Sequence, residues 1–367
     1  MSFLKKSIIF NSIMTEAVLH SRALYIKQQR KFFRTFCVLL VLLLMTIVLG
    51  IFLGPASGFI DSIERAFNQE PSLIKELVLN IRLPRVLLGL LAGGGLALAG
   101  AALQILFNNP LADSGLIGIS SGAMLGVITG TFLLKLIPFF QSFFESYPLF
   151  FLPSLAFLGA LFLGFLVYRI SLSHGRIQIA IMLLAGVAVN AFAGAYSGLL
   201  ITLLNDEQLR SITFWSMGSL NGATWPIISL LSLLVLGASS YLYSFHKELD
   251  ALALGEREAL YLGVDTDKVK KTVLILSAVI CGPLTAFVGV IGFVGLVVPH
   301  ILRLFLGPKS SSLLICSFLL GGVFLVLSDI VAKNVVAPSE LPIGIITSIV
   351  GTPFFTYLLL KQKRRLS

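Results

Sequence analysis

The stretch TVLILSAVICGPLTAFVGVIGFVGLVVPHIL, residues 272–302, decides the fold, because it is an uncharged apolar run of 31 residues. One membrane-spanning helix needs about 20 apolar residues, so the run is long for one crossing and short for two. Two crossings place the basic segment 361–365 on the same side as the basic amino-terminal segment, as the cytoplasmic preference of Lys and Arg requires. We therefore predict two helices, 273–290 and a shorter one, 292–305, which we expect to be interrupted at Pro299.

The whole chain has the composition of a membrane protein. Its 367 residues are 57% hydrophobic and only 12% charged, with a mean hydropathy of +0.97. Soluble domains carry about a quarter charged residues, and apolar runs long enough to cross a membrane recur along this chain. The net charge of +10 is attributed to basic cytoplasmic loops that face anionic lipid, and no nucleic-acid partner is expected.

The same reasoning, applied to every apolar run, predicts an all-α polytopic membrane protein with about ten transmembrane helices and both termini in the cytoplasm. This topology places 20 of the 27 Lys and Arg residues inside and 7 outside. We expect a basic cytoplasmic tail over residues 1–35 and a transmembrane domain over residues 36–363. The intervals 54–82, 135–150 and 205–224 are interpreted as loops. The predicted crossings are 36–53, 82–106, 114–134, 151–167, 177–204, 226–245, 273–290, 292–305, 313–332 and 342–360.

Two short segments resemble each other within the chain. GLIGI at 115–119 and GFVGL at 292–296 are 177 positions apart and fall on opposite faces of the predicted topology. Inverted repeats of this kind are common in transporters. An inverted repeat would relate helices two to five to helices seven to ten, and chance similarity is an equal alternative.

The longest polar interruption in the interior of the chain is residues 249–271, which we call the island. It carries five acidic and four basic residues, and two short helical segments are expected to meet at Gly255. In the predicted topology the island faces the cytoplasm. The chain has no G-x-x-x-x-G-K-[ST] motif and no soluble domain that could hold a nucleotide. If ATP drives this protein, the ATPase is a separate chain, and we expect the island to be its docking surface.

Arg82 and Arg85 lie at the predicted outer end of the second helix. Two alternatives are open: they snorkel to the interface, or they receive acidic groups of an external partner, which arginine binds bidentately. Asp329 and Lys333 are four residues apart and are expected to form an ion pair within one helix. Glu340 could cap the last helix or pair with Lys333.

The fifth predicted helix carries the polar residue Asn190 within a row of small residues that includes Gly194 and Gly198. Small residues permit close helix packing, which is their more common role, or they can line a pathway. The histidines have no metal-ligand spacing, so no metal site is expected. Several residues that favour turns, helix starts or breaks are expected to be structural: Pro84, Asn109, Pro110, Gly292, Gly295, Pro299 and Pro342.

Five segments of the chain resemble the permease subunits of type II ABC importers, the family that takes up iron–siderophore complexes, haem and vitamin B12. They occur in the family's order, and the resemblance extends over roughly residues 75–363. The segments are RLPRVLLGLLAGGGLALAGAALQILFNNPLADSGLIGISSGA (82–123), FWSMGSLNGATW (214–225), LALGEREALYLGV (252–264), GFVGLVVPHILRL (292–304) and ELPIGIITSIVGTPFFTYLLLK (340–361).

The resemblance implies ten helices per subunit in the inner membrane and a homodimer, or a dimer with a related permease. It implies a pathway at the dimer interface, lined by the fifth and tenth helices, which favours a pathway role for Asn190, Gly194 and Gly198. It also implies two cytoplasmic ATPase subunits that bind ATP and Mg, a periplasmic or extracellular substrate-binding protein, and no cofactor in this chain.

Residue by residue, the resemblance implies that Arg82, Arg85 and Lys333 meet acidic groups of the binding protein. Lys333 stands where arginine is usual, so it keeps the charge but loses the bidentate fork. The segment 252–264 resembles the family's paired coupling helices, and residues 265–271 are left as a basic lead-in to the next helix. The ATPase-coupling residues are then Leu252, Ala253, Leu254, Gly255, Glu256, Arg257, Glu258, Ala259, Leu262 and Gly263.

Two other classes of function stay open from the residues alone. A secondary transporter would need functional carboxylates within the membrane, and only Asp113 and Asp329 are candidates, both near helix ends. A membrane enzyme that acts on lipid would need a catalytic cluster near one interface, and the sequence offers none.

Overall fold

The computed structural model describes residues 2–54, 76–173 and 175–366. The described chain is almost entirely helical. A π-helical turn, Leu77–Arg82, leads into α2, a 3-10 turn, Ser114–Ile117, precedes α3, and two short strands, β1 (Leu172–Ser173) and β2 (Arg176–Ile177), form an antiparallel hairpin between α5 and α6. The helices are α1 (Ser2–Phe52), α2 (Leu83–Leu106), α3 (Ile119–Leu136), α4 (Pro138–Ser146), α5 (Pro148–Ser171), α6 (Ile179–Ile201), α7 (Asp206–Ser216), α8 (Trp225–Ser244), α9 (His246–Leu254), α10 (Glu256–Tyr261), α11 (Thr266–Val288), α12 (Val294–Leu306), α13 (Ser310–Val335) and α14 (Ile343–Leu366).

Half of these fourteen helices have the length and composition of membrane spans. Within the described residues, seven helices qualify, or eight if α3 and α4, which meet at 110°, are counted as one bent span. Two shorter apolar helices, α12 and α14, complete the set. The chain is therefore an all-helical, multi-pass membrane protein.

The helix α2 lies at the centre of the bundle and packs against α8, α11, α12 and α13. Its small residues allow this, because backbones can approach closely only where side chains are small. A Cβ atom at Gly93 would overlap the carbonyl oxygen of Gly321 on α13, and one at Gly100 would overlap that of Gly295 on α12. The Gly- and Ala-rich sequence of α2 is thus what permits its central position.

The helices pack in two corresponding sets. α2 packs on α13 as α11 packs on α5, and α3 packs on α5 as α12 packs on α13. α6 contacts α3 and α5, just as α14 contacts α12 and α13. The similar pentapeptides 115–119 and 292–296 do not follow this correspondence. The left-handed residue that precedes α3 is Gly118, the fourth residue of the first pentapeptide, whereas Phe293, which precedes α12, is the second residue of the other.

Several predicted boundaries were wrong. Residues 2–52 form one continuous helix, α1, so the segment expected to be a tail and the first predicted crossing join without a break. The predicted loops 135–150 and 205–224 contain the helices α4 and α7. Of the predicted loop 54–82, residues 55–75 lie outside the described residues, and residues 77–82 are helical.

Pro299 does not interrupt its helix, contrary to the prediction. α12 runs unbroken through this position, although proline supplies no N–H to the carbonyl of Gly295, four residues earlier. The buried side chain of Gln104 on α2 supplies the missing donor, because its Nε2 lies 3.2 Å from the Gly295 oxygen and 3.2 Å from that of Leu296. A neighbouring helix thus satisfies the freed carbonyl, as a membrane interior requires.

Candidate functional site

Five charged side chains meet near one end of α2 and α13, and we call them the ionic cluster: Arg82, Arg85, Asp329, Lys333 and Glu340. Arg85 holds both acids. Its Nε and Nη2 donate to Asp329 at 3.0 and 2.8 Å, while Nη1 and Nη2 donate to Glu340 at 3.1 and 3.0 Å. Two bidentate pairs on one guanidinium are the geometry that arginine forms best with carboxylates. The Asp329 side chain is 3% exposed and that of Glu340 is 31% exposed.

The two other bases of the ionic cluster are buried and bind the end of α1. Arg82 Nη1 donates to the carbonyl of Ile51 at 2.9 Å, and Lys333 Nζ donates to that of Gly50 at 3.2 Å. The last carbonyls of a helix have no partner within it and carry the negative end of the helix dipole. Arg82 and Lys333 therefore stabilise the carboxyl end of α1, a role that the sequence did not indicate.

The predicted pairings within the ionic cluster were wrong. Asp329 was expected to pair with Lys333 on its own helix, and Glu340 to cap the last helix or to pair with Lys333. Both carboxylates bind Arg85 instead, because the close packing of α2 on α13 brings its guanidinium between them. Burial alone would raise the pKa of the Glu340 carboxyl, but the hydrogen bonds and charge of Arg85 outweigh it and hold that pKa below its usual value.

The island forms the two short helices α9 and α10, joined at Gly255, whose φ of 135° is strained for any residue with a side chain. Four apolar side chains project from this region into the surroundings. Tyr261 is 90% exposed and Leu254 is 69% exposed, and Leu260 and Leu262 are exposed beside them. Several exposed apolar side chains on one short segment are a feature of protein-binding surfaces.

The residues named from sequence as ATPase-coupling divide into two faces. Leu252 and Ala259 are buried against the rest of the chain, together with Leu249 and Ala251. The exposed members of the predicted set are Ala253, Leu254, Arg257, Glu258, Leu262 and Gly263, and Gly255 and Glu256 are partly or wholly accessible beside them.

Two polar side chains of the island fasten its short helices, Asp250 to the start of α13 and Lys270 to α10, and the sequence indicates neither role. Asp250 accepts a hydrogen bond from the backbone N–H of Ser310, at the first residue of α13, at 2.6 Å. Lys270, only 2% exposed, donates to Glu256 on α10 at 2.5 Å. The sequence places Lys270 in a basic lead-in to the next helix. Only its spacing of three residues from Asp267, in the first turns of that helix, indicates that the two side chains lie on the same helix face.

The predicted pathway residues lie on two different sides of α6. Gly194 and Gly198 are exposed, and a Cβ at either position would meet no atom within 4 Å. Together with Leu184, Ala188 and Ala191 they form an uncovered stripe at helical spacing. Asn190 faces inward, where its Nδ2 donates to the Gly115 carbonyl at 3.0 Å and its Oδ1 accepts from the Ser121 hydroxyl.

The carboxylates that a secondary transporter would need are both held by the fold. Asp329 is bound by Arg85, and Asp113 caps the 3-10 turn before α3 by accepting from the N–H groups of Gly115 and Leu116 at 3.0 and 3.3 Å. Burial raises the pKa of Asp113, and these two N–H groups oppose that rise.

The residues predicted to be structural have local roles. Asn109 accepts from the N–H of Leu111 at 3.0 Å and so closes the turn that contains Pro110. Pro84 lies in the first turn of α2, and the carbonyl of Pro342 accepts from Ile345 at the start of α14. Gly292 has open space around it. Across residues 2–54, 76–173 and 175–366, no three His, Cys, Asp or Glu side chains are arranged to hold a metal ion.

Comparison with known proteins points to one family. The model described as the FecCD transport family matches residues 40–361. The chain is 42% identical over 292 residues to the hemin transport system permease protein HmuU of Yersinia pestis, a match that covers 79% of this chain and 84% of that protein. It is 38% identical over 295 residues to the cobalamin import system permease protein BtuC of Halobacterium salinarum, with coverages of 80% and 76%. A solved structure described as a metal-chelate type ABC transporter in an inward-facing conformation matches with a TM-score of 0.77 and 31% identity, over 88% of this chain and 97% of that one.

Proposed function

Because this chain belongs to the FecCD transport family, we propose that it is the membrane-spanning subunit of an ATP-driven importer for an iron chelate, haem or cobalamin. The chain itself is a transport permease and carries out no covalent chemistry in this proposal. ATP and Mg bind to two separate cytoplasmic ATPase subunits, and the chain holds no cofactor. The observation that carries the proposal is the exposed apolar surface of the island, around Leu254 and Tyr261.

The proposed topology has ten crossings in the inner membrane, with both termini and the island in the cytoplasm. The seven long apolar helices, the bent α3–α4 pair and the two shorter apolar helices supply ten segments. The distribution of Lys and Arg supports this orientation. The contacts that α2, α3, α5 and α6 make correspond to those that α11, α12, α13 and α14 make, and this correspondence supports an inverted repeat.

The proposed assembly is a homodimer, or a dimer with a related permease, whose pathway lies between the two copies. The uncovered stripe on α6, which includes Gly194 and Gly198, supports this arrangement. α14 carries a second uncovered stripe, which includes Ile349, Pro353 and Thr356. Apolar and small residues at a pathway bind cargo weakly, so that cargo can leave, and selectivity is left to the external binding protein.

We propose that the external binding protein docks over the ionic cluster. Arg85 already holds two carboxylates, so an incoming carboxylate must replace one of them. Glu340 is the more exposed partner and Asp329 is nearly inaccessible, so the exchange takes place at Glu340. The long-range attraction of Arg82, Arg85 and Lys333 for an acidic partner steers the encounter.

The proposal is tested by the affinity of the purified permease for the ATPase subunit of its host. Tyr261→Ala combined with Leu254→Ala is expected to weaken binding by at least about tenfold, because a few exposed aromatic and aliphatic side chains dominate such interfaces. Leu233→Ala is the matched control, since Leu233 is 75% exposed on α8, away from the island. Equal affinities of the island variant and the control would remove the island from the interface.

A further inference from the structure

Ile177, in the hairpin between α5 and α6, has both of its backbone polar groups held by side chains of α11. Its N–H donates to Asp267 Oδ1 at 3.4 Å, and its carbonyl accepts from Lys270 Nζ at 3.4 Å. Asp267 and Lys270 are three residues apart in the first turns of α11 and so lie on one face. Together they hold both backbone polar groups of a single residue, two positions before α6 begins.

The hairpin presents these groups because of its register. Gln178 N–H donates to the Ser171 carbonyl at 3.0 Å, and Leu172 is paired with Ile177. Hydrogen-bonded and non-hydrogen-bonded pairs alternate along an antiparallel ladder, so the Leu172–Ile177 pair is of the second kind. The N–H and carbonyl of Ile177 therefore point away from the partner strand and towards α11.

The same lysine also holds α10. Lys270 Nζ lies 2.5 Å from Glu256 Oε1, at the first residue of α10. The Lys270 side chain is 2% exposed, whereas that of Glu256 is 50% exposed. A buried ammonium group that loses its carboxylate keeps the full cost of its lost hydration. Moving α10 away from Lys270 is therefore costlier than moving α10, the start of α11 and the hairpin together.

From these contacts we propose that Lys270 is a positioning residue that transmits movement of α10 to the start of α6. The inference rests on the proposed function, in which an ATPase moves the island and α6 lines the pathway. Lys270 binds two groups: the Glu256 carboxylate on α10, which the ATPase moves, and the Ile177 carbonyl next to α6, which lines the pathway. Asp267 also holds Ile177, because its carboxylate accepts a hydrogen bond from the Ile177 N–H.

The test is hydrogen exchange, followed by mass spectrometry, of the full chain in lipid nanodiscs. Among the described residues the hydrogen bond and ion pair of Glu256 go to Lys270 and not to the hairpin, so Glu256→Gln should affect the hairpin through Lys270. We expect Glu256→Gln and Lys270→Met each to speed backbone exchange over residues 172–179 by roughly tenfold. Lys268→Met is the matched control, because Lys268 is an exposed lysine on the same turn of α11, and it should leave this segment unchanged.

Unchanged exchange over residues 172–179 in Glu256→Gln would overturn the inference, because the pair would then be a local contact only. If Lys270→Met does not fold, Glu256→Gln alone carries the test. The measurement needs neither an ATPase nor a cargo. A failure of this inference is therefore distinguishable from a failure of the proposed function. If only the proposed function fails, ATPase binding is absent while Glu256→Gln still changes exchange in the hairpin.

Discussion

Arg85 Nη2 and Asp329 Oδ1 lie 2.8 Å apart, although 244 positions separate the two residues in the chain. The pair joins α2, the central helix, to α13 near the end where α1 also arrives. Glu340 binds the same guanidinium, and Arg82 and Lys333 bind the last turn of α1. Three helices, α1, α2 and α13, thus meet at one group of charges at one end of the bundle.

Removing the buried acid of this group should destabilise the protein. Asp329→Ala leaves the guanidinium of Arg85 with a single, partly exposed partner. We expect the free energy of unfolding to fall by about 3 kcal/mol, as is usual when one member of a buried pair is lost. The measurement is denaturant unfolding of the purified protein in micelles. Arg210→Ala, on the exposed surface of α7, should change stability by no more than about 0.5 kcal/mol. Equal stability of the two variants would contradict the structural role of the pair.

Docking of the binding protein should respond in opposite directions to two changes at Arg85. Glu340→Gln removes the internal competitor, so we expect binding-protein affinity to rise roughly three- to tenfold at low salt. Arg85→Gln removes the receptor and should weaken binding, with an effect that diminishes as salt is added. Glu207→Gln, at an exposed acid on α7, controls for the change in overall charge. A loss of affinity in Glu340→Gln would exclude the exchange of carboxylates on Arg85.

The contact between Gln104 and the carbonyl of Gly295 predicts a suppressor. Gln104→Leu removes the donor and leaves a buried carbonyl unsatisfied, which should cost about 1–3 kcal/mol of stability. Pro299→Ala supplies the N–H that this carbonyl lacks, so it should restore most of the stability of Gln104→Leu. Unfolding of the two single variants and the double variant gives the coupling energy directly. Purely additive effects would mean that Gln104 does not replace the proline's missing donor.

The glycines of α6 should separate into two kinds. Gly194→Leu and Gly198→Leu place side chains in open space, so we expect unchanged stability but blocked uptake, in proteoliposomes that contain the full transporter, of the cargo that the unmodified transporter accumulates. Gly186→Ala is the matched contrast, because its Cβ would overlap the carbonyl oxygen of Leu116 and should lower stability. Normal uptake by both leucine variants would remove this stripe from the pathway.

The sequence predicted the helices and the family well, but it predicted the contacts of individual side chains poorly. Composition and run length identify a polytopic helical protein, because burial in lipid leaves few alternatives. The continuity of α1 could have been predicted, since residues 1–49 contain neither Gly nor Pro. The unbroken helix through Pro299 could not, because it depends on Gln104, a residue 195 positions away on another helix.

The ionic contacts show the same limit. Spacing within one helix favours a pair between Asp329 and Lys333, but the packing of α2 on α13 brings Asp329 into an ion pair with Arg85. Lys270 looked like one of several solvated bases, and only the fold reveals that it is buried between α10 and the hairpin. Spacing within a helix indicates which ion pairs are possible, and the packing of the helices determines which of them form.

We propose that ATP drives this permease, and uptake by sealed proteoliposomes distinguishes ATP from an ion gradient as the energy source. The vesicles contain the permease with the ATPase and binding protein of its host, and a panel of haemin, a ferric siderophore and cobalamin is offered in turn. We predict accumulation of one member of the panel when ATP is supplied to the ATPase side and all ion gradients are collapsed. Accumulation that follows an imposed proton or sodium gradient without ATP, and that is absent with ATP alone, would contradict the account.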